Sequence, residues 1–144
     1  MLFLVIQIGR KSYALPSDLV VEVVPASEWK AAFQASAGAT VSANYRGKPL
    51  SIVDLNLLTE GEPTRRRGSN SLVVVRDLKE SEPRVALVAE RASEVLRCPA
   101  EDFVEMSDAG GSPPWLGGVL QQGLRFIQQL RPEHIPAPTA PFDW

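Results

Sequence analysis

An arginine and an aspartate frame one hydrophobic stretch of this chain: Arg46 and Asp54 in NYRGKPLSIVDL, residues 44–55. A cation and a carboxylate that converge in a cleft could act on a substrate. Equally, they could be the polar fittings of a docking surface. The rest of the chain offers little to a catalytic reading. Its single histidine, His134, falls in an expected surface turn, and no Cys, Ser or carboxylate answers it at a recognised spacing. The carboxylates of EGEP, KESE and AEDFVE fall in loops and strand ends. A small enzyme built on them would need two with perturbed pKa in one pocket. AGGSPP has neither the spacing nor the lysine of a phosphate-binding loop, and no dinucleotide, HExxH or EF-hand pattern occurs. The expectation is no enzyme, no cofactor and no metal.

Composition narrows the classes further. The 144 residues suit one compact domain or two small subdomains, with 44% hydrophobic and 22% charged residues. A net charge of -2 implies no general affinity for nucleic acid. The basic run at residues 65–67 reads as a solvated loop. Cys98 is the only cysteine, so there is no internal disulfide and no zinc-type pair. It reads as a small apolar residue beside a turn, in keeping with the cytosol. The apolar start, MLFLVIQIG, is too short to span a membrane and has no basic flank, so it reads as a buried strand.

These residues must be positioned mainly by strands. Apolar, β-branched runs at 2–8, 12–16, 19–24, 50–55, 71–77, 84–90 and 92–97 are separated by Gly, Pro, Asn and Ser. Residues 114–130 read as two strands around a turn at Gln121, Gln122 and Gly123. Many short, evenly spaced strands indicate a barrel or sandwich. The connections at 61–70 and 107–114 are polar and are expected to be exposed and mobile. Alanine-rich 27–38 reads as a short helix with Ser27 as cap and Trp29 and Phe33 on one face. Asp54 can cap a helical turn over LNLLT, and Pro132 suits the first position of another in RPEHI. The tail, residues 136–144 (PAPTAPFDW), is too proline-rich to fold alone. Its Phe142 and Trp144 could serve as a tethered peptide for another protein, but the short linker favours packing against a barrel or a neighbouring copy.

Glu22 interrupts the apolar run LVVEVV, and Arg46 lies at a strand turn, so both need partners. A Glu22–Arg46 pair across neighbouring strands would satisfy both. It could be structural, or it could face a partner, and the two roles are compatible.

The order of motifs FLVIQIGRKSYALPSDLVVEVVP, NYRGKPLSIVDL, SLVVVRD, RVALVAERASEVL and WLGGVLQQGLRFIQQL resembles the CheW family of chemotaxis coupling proteins, over about residues 2–135. The resemblance implies an all-β fold: two five-stranded SH3-like β-barrel subdomains packed together, with short helices and a hydrophobic groove between them. It implies a CheW-like domain over 1–135, followed by the tail 136–144. It implies a non-enzymatic scaffold coupling transmembrane chemoreceptors to a CheA-type histidine kinase. The partners would be the cytoplasmic hairpin of a methyl-accepting chemoreceptor and the kinase's regulatory domain. The protein would be cytoplasmic and recruited to membrane receptor arrays, without inserting into the membrane or binding nucleic acid, and could self-associate through its tail. By the same resemblance Val20, Glu22, Arg46 and Gly47 fall in or near the receptor-facing region, and Asp54 fixes the strand end. No residue is assigned to the kinase.

The chain also departs from the family pattern. The segment ASEWKAAFQASAGATVS replaces a proline-rich loop, Tyr45 replaces a leucine, and the second-half signature Val-Asp-x-Val-x-Glu-Val appears as AERASEV. These departures favour an auxiliary pathway, such as a Wsp-type or pilus-linked system. The alternative is an SH3- or OB-like barrel that binds nucleic acid or another protein; its nucleic-acid form predicts a basic face with stacking aromatics.

Overall fold

The computed structural model describes residues 1–25, 28, 33–35, 42–65, 68–79, 82–105 and 113–135. Its strands are β1 (Leu2–Ile8), β2 (Lys11–Pro16), β3 (Val20–Pro25), β4 (Phe33–Ala35), β5 (Ser42–Tyr45), β6 (Lys48–Asp54), β7 (Ser71–Arg76), β8 (Pro83–Ala89), β9 (Arg91–Arg97), β10 (Leu116–Gln122) and β11 (Arg125–Leu130). One α-helix, α1 (Leu55–Glu60), follows β6, and Ser17–Leu19, Ala100–Asp102 and Pro132–His134 form 3-10 turns.

The strands form two sheets. One is five-stranded, in the order β10-β11-β2-β1-β9; the other is six-stranded, in the order β3-β7-β8-β6-β5-β4. The first is thus built from both ends of the chain and the second from its middle. The chain crosses over through the turn after Pro16 and returns at Glu90, whose N–H donates to the Gln7 carbonyl at 2.8 Å. Strands β11 and β2 pair in parallel, as do β6 and β8, while the other ladders are antiparallel.

Alternation along each strand explains the long apolar runs. In β1, Phe3 and Val5 enter the core of the five-stranded unit, while Ile6 and Ile8 enter a core shared between the two sheets. In β7, Leu72 and Val74 point into the six-stranded unit, and Val73 and Val75 into the shared core. Strand β8 divides likewise, with Ala86 and Val88 on one side and Val85 and Leu87 on the other. Strands buried on both faces need no polar positions, so LFLVI and SLVVV read as continuous hydrophobic runs. Each fully buried Val, Leu or Ile contributes roughly 1.5–3 kcal/mol.

The structure departs from the sequence reading in four places. The six-stranded sheet has one strand more than expected. That strand, β4, occupies residues 33–35, inside the expected helix 27–38. Phe33 stands opposite Tyr45 in the β4–β5 ladder, and pairing with a sheet edge overrides alanine's helix propensity, as tertiary context commonly does. The rest of that expected helix, Ser27 and Trp29 included, lies outside the described residues except Glu28, as does the tail 136–144. The connection 61–70 is not simply exposed, because Thr64 and Asn70 are buried at 8% and 2% exposure. The last hairpin turns at Gly123 and Leu124, one residue later than the sequence suggests.

Candidate functional site

Strand β6 answers the question that Arg46 and Asp54 raise. Asp54 ends this seven-residue strand and Arg46 lies in the turn before it, so the strand's length, roughly 20 Å, separates them. They share no cleft. Asp54 is buried and fully engaged. Its Oδ1 accepts from the Asn56 and Leu57 N–H groups at 3.1 and 3.3 Å and from the Thr64 hydroxyl at 2.6 Å. Its Oδ2 accepts from the Thr64 N–H at 2.8 Å. Asp54 is therefore the N-cap of α1 and the pin of the loop after it.

Arg46 sits in a different setting. Arg46 and Gly47 form the two-residue turn between β5 and β6, with φ of 52° and 83°. Both angles are positive, as a type I′ hairpin requires, a turn that normally takes Asn-Gly or Asp-Gly. Arg46 is the only non-glycine residue with positive φ among the described residues. A side chain in that conformation costs roughly 1–2 kcal/mol. What holds it there is a carboxylate. Glu22 Oε1 accepts from Arg46 Nη2 at 3.1 Å and from the Tyr45 hydroxyl at 2.5 Å. The Arg46 guanidinium also lies 5.1 Å from the centre of the Tyr45 ring, within cation–π range.

The expected Glu22–Arg46 pair is present, but β3 and β5 are not ladder neighbours. Strands β7, β8 and β6 lie between them in the sheet order. The contact closes the curled sheet, joining its β3 edge to the β5–β6 hairpin. Tyr45 is buried and forms part of the core of that sheet. Burial, and then its hydrogen bond to Glu22, push the Tyr45 hydroxyl up to about 12. The phenol therefore stays protonated and donates to Glu22. A tyrosine tuned for proton abstraction would be shifted the other way.

Val20 belongs to another surface. The β3–β7 register shifts between Val20 and Glu22, so a bulge reverses which way these two nearby residues face. Val20 and Val23 pack on the shared core beside Leu4 and Ala92, whereas Val24 enters the six-stranded core. Leu4 stands opposite Val95, and Leu2 lies on Leu4's face. Leu2 and Val95 are 38% and 65% exposed, so this face of the β1–β9 ladder presents an apolar strip to solvent. Of the four residues expected on one receptor-facing region, Glu22, Arg46 and Gly47 cluster at a polar corner, and Val20 packs on the shared core, as does Leu4 of the apolar strip.

A second corner was not anticipated. In the five-stranded sheet, Arg125 donates from Nη1 to Glu94 Oε2 at 2.8 Å and from Nη2 to Glu94 Oε1 at 2.7 Å. The same Nη2 stands 3.5 Å from the Ser12 hydroxyl. Hydrogen bonds from Arg125 hold the Glu94 carboxyl below its ordinary range. The available signal was the repeated Glu-Val, in VVEVV and again in ASEVL. Tyr45 as Glu22's second partner was also missed, because the sequence shows it only as a core aromatic.

Other chemistry is weak. Burial, and then Asp102, push the Cys98 thiol up, making it a poor nucleophile. His134 is exposed. No group of three or more metal-ligating side chains occurs among the described residues. Among them no helix is long and apolar enough to cross a membrane.

Comparison with known proteins gives a consistent result. The protein family described as CheW-like domain matches residues 2–137. Among solved structures, the scaffolding protein TtCheW from Thermoanaerobacter tengcongensis has a similar fold, with a TM-score of 0.71 and 15% sequence identity. The likeness covers 90% of this chain and 83% of that one. No curated protein sequence matches the chain significantly.

Proposed function

Because this chain belongs to the CheW-like domain family, we propose that it is a non-enzymatic scaffold coupling transmembrane chemoreceptors to a CheA-type histidine kinase. Residues 1–135 would form the scaffold and 136–144 an appended tail. The observation that carries this reading is the family match over nearly the whole chain, joined to two surfaces that offer binding rather than chemistry. The apolar strip of Leu2, Leu4 and Val95, with Val20 on the same core as Leu4, suits the apolar face of a helical hairpin. The corner of Glu22, Arg46 and Gly47 beside it supplies charge and register. A receptor's cytoplasmic hairpin would lie along the strip, and the protein would act in the cytoplasm, held at the membrane by its receptors. The kinase's regulatory domain would take a further surface, to which no residue is assigned. Tyr45 at the receptor-facing corner supports an auxiliary pathway over a main flagellar one.

The test is reconstitution of receptor fragment, kinase and this protein on vesicles. Wild-type protein is expected to recruit the kinase to receptor-bearing vesicles. The charge reversal Arg46→Glu is expected to abolish most recruitment while the protein still unfolds cooperatively. Full recruitment by that variant would remove the corner from the receptor surface. No recruitment by the wild type with any receptor of its own cell would refute the scaffold reading.

A further inference from the structure

A groove of about 850 Å³ runs beside the β10–β11 hairpin, away from both the Glu22 corner and the apolar strip. Its walls combine Leu116, Val119, Leu124 and Phe126 with Arg10 and Arg125. Leu124 is fully exposed and Phe126 is 60% exposed. Two large apolar side chains side by side on a hairpin tip call for a covering partner.

We propose that this groove is the docking site of the chain's own C-terminal segment, residues 136–144. Four observations converge on that occupant. First, the segment starts from a fixed point five residues after β11, the strand that lines the groove. Arg84 donates to the Pro132 and Ile135 carbonyls at 2.8 and 2.7 Å, and Ile135 is fully buried. The Arg131 N–H donates to Trp115 at 2.7 Å, and Leu130 stands opposite Leu116, a groove residue. Second, the length is right. Nine residues reach about 30 Å when extended, and the six-residue β11 that borders the groove spans roughly 20 Å. Third, the chemistry is complementary. The segment carries Phe142 and Trp144 for the apolar wall, and Asp143 is its one charged side chain. Arg10, at the groove's far end, makes no ion pair among the described residues, so it can receive Asp143. Fourth, PAPTAP disfavours a helix or a sheet ladder, which suits it to be an extended spacer. Tethering makes the aromatic end a millimolar-range ligand for any site within reach.

The inference is independent of the partner the scaffold serves. It is tested by disulfide trapping in the full chain, in a Cys98→Ser background. One variant adds Leu124→Cys and Trp144→Cys. A control adds Val95→Cys and Trp144→Cys, placing a solvent-exposed thiol on the opposite sheet edge, and each rate is scaled to that cysteine's reactivity with a small-molecule disulfide. Under air oxidation at micromolar protein, the 124–144 disulfide is expected within single chains, at least about tenfold faster than the 95–144 one. Phe142→Ala is expected to bring the 124–144 rate down towards the control. Equal rates for the two pairs, or a 124–144 disulfide found only between two copies, would overturn the proposal. Methyl NMR gives a second readout, since Val119 and Leu124 should shift on Phe142→Ala in an otherwise native chain. Unchanged shifts there would also count against it.

Discussion

The two subdomains solve one problem in two ways. Each places a glutamate on a strand at the edge of its sheet, Glu22 on β3 and Glu94 on β9, and each ties it to an arginine at a hairpin, Arg46 and Arg125. Arg125 follows Gly123, which carries the positive φ of its turn, so the arginine itself stands in a strand and meets Glu94 through both oxygens. Arg46 takes the positive φ on its own backbone, uses one nitrogen, and shares Glu22 with a buried tyrosine. The first geometry is a relaxed, bidentate clasp. The second holds a side chain that is 68% exposed in one direction, on a strained backbone. Strain kept at a surface position, where a glycine would remove it, argues for a contact beyond the chain.

The aromatic neighbours sharpen the contrast. Tyr45 precedes Arg46 and is buried, while Phe126 follows Arg125 and is 60% exposed. Tyr45→Ala should cost about 3–5 kcal/mol, because it removes a core ring and leaves Glu22 with one partner. Phe126→Ala should change stability by less than about 0.5 kcal/mol. Urea unfolding of both variants checks the pair. Similar losses would show that the two corners are equivalent.

The pH response should also separate them. Tyr45 is raised in the folded state, so its stabilisation is complete below the ordinary tyrosine value near 10 and is lost as pH rises through about 12. Roughly 2–3 kcal/mol should disappear over that window, and Tyr45→Phe should flatten the decline. Glu94 is depressed, so its contribution is present above the ordinary carboxylate range and is lost as pH falls through its folded value. That acid-side effect is smaller, because the carboxylate is partly exposed and screened. Denaturant midpoints across pH, with Tyr45→Phe and Glu94→Gln, read both slopes.

How much of this was legible follows from which interactions are local. Strands β1, β7 and β8 show in the sequence because burial on both faces forces unbroken apolar runs. Asp54 shows as a cap because its partners Asn56 and Leu57 are two and three residues away. Its clasp on Thr64 does not show, since nothing in EGEPT marks a threonine for burial. The Glu22–Arg46 pair follows from two polar residues in need of partners, but the strand order that joins them does not. Strand β4 is hidden for the same reason: only the β5 edge turns part of an alanine-rich segment into a ladder. Glu94 and Arg125 lie 31 residues apart, on strands separated by β1, β2 and a long connection in space and sequence. No local pattern links them, and only the repeated Glu-Val hints at it.

The bidentate clasp offers a smaller test. Arg125→Lys keeps the charge but loses the two-pronged geometry, and an exposed pair of this kind is worth about 0–1 kcal/mol. Its effect should shrink further at high salt. A double-mutant cycle with Glu94→Gln would read the coupling directly. A coupling well above 1 kcal/mol would mean that the second corner holds its sheet together more than its exposure suggests.

The smallest stability change should come with the largest consequence for binding. Arg46→Gly removes the ion pair and the cation–π contact, which lowers stability. It also places glycine where φ is 52°, which raises it by relieving the backbone. These terms are each about 1 kcal/mol and oppose one another, so the net shift should lie within about 1 kcal/mol of zero. Tyr45 keeps its bond to Glu22, and Gly47 keeps the turn, so the corner's backbone should stay in place. If the corner serves only to close the sheet, the variant should recruit kinase to receptor-bearing vesicles as well as wild type does. If the strained arginine is held for a partner, recruitment should fall at least about tenfold at unchanged stability, the loss expected for one charged contact at an interface. Arg125→Gly, at the relaxed corner, should leave recruitment by receptors near wild type, and equal losses in the two variants would end the distinction between the corners.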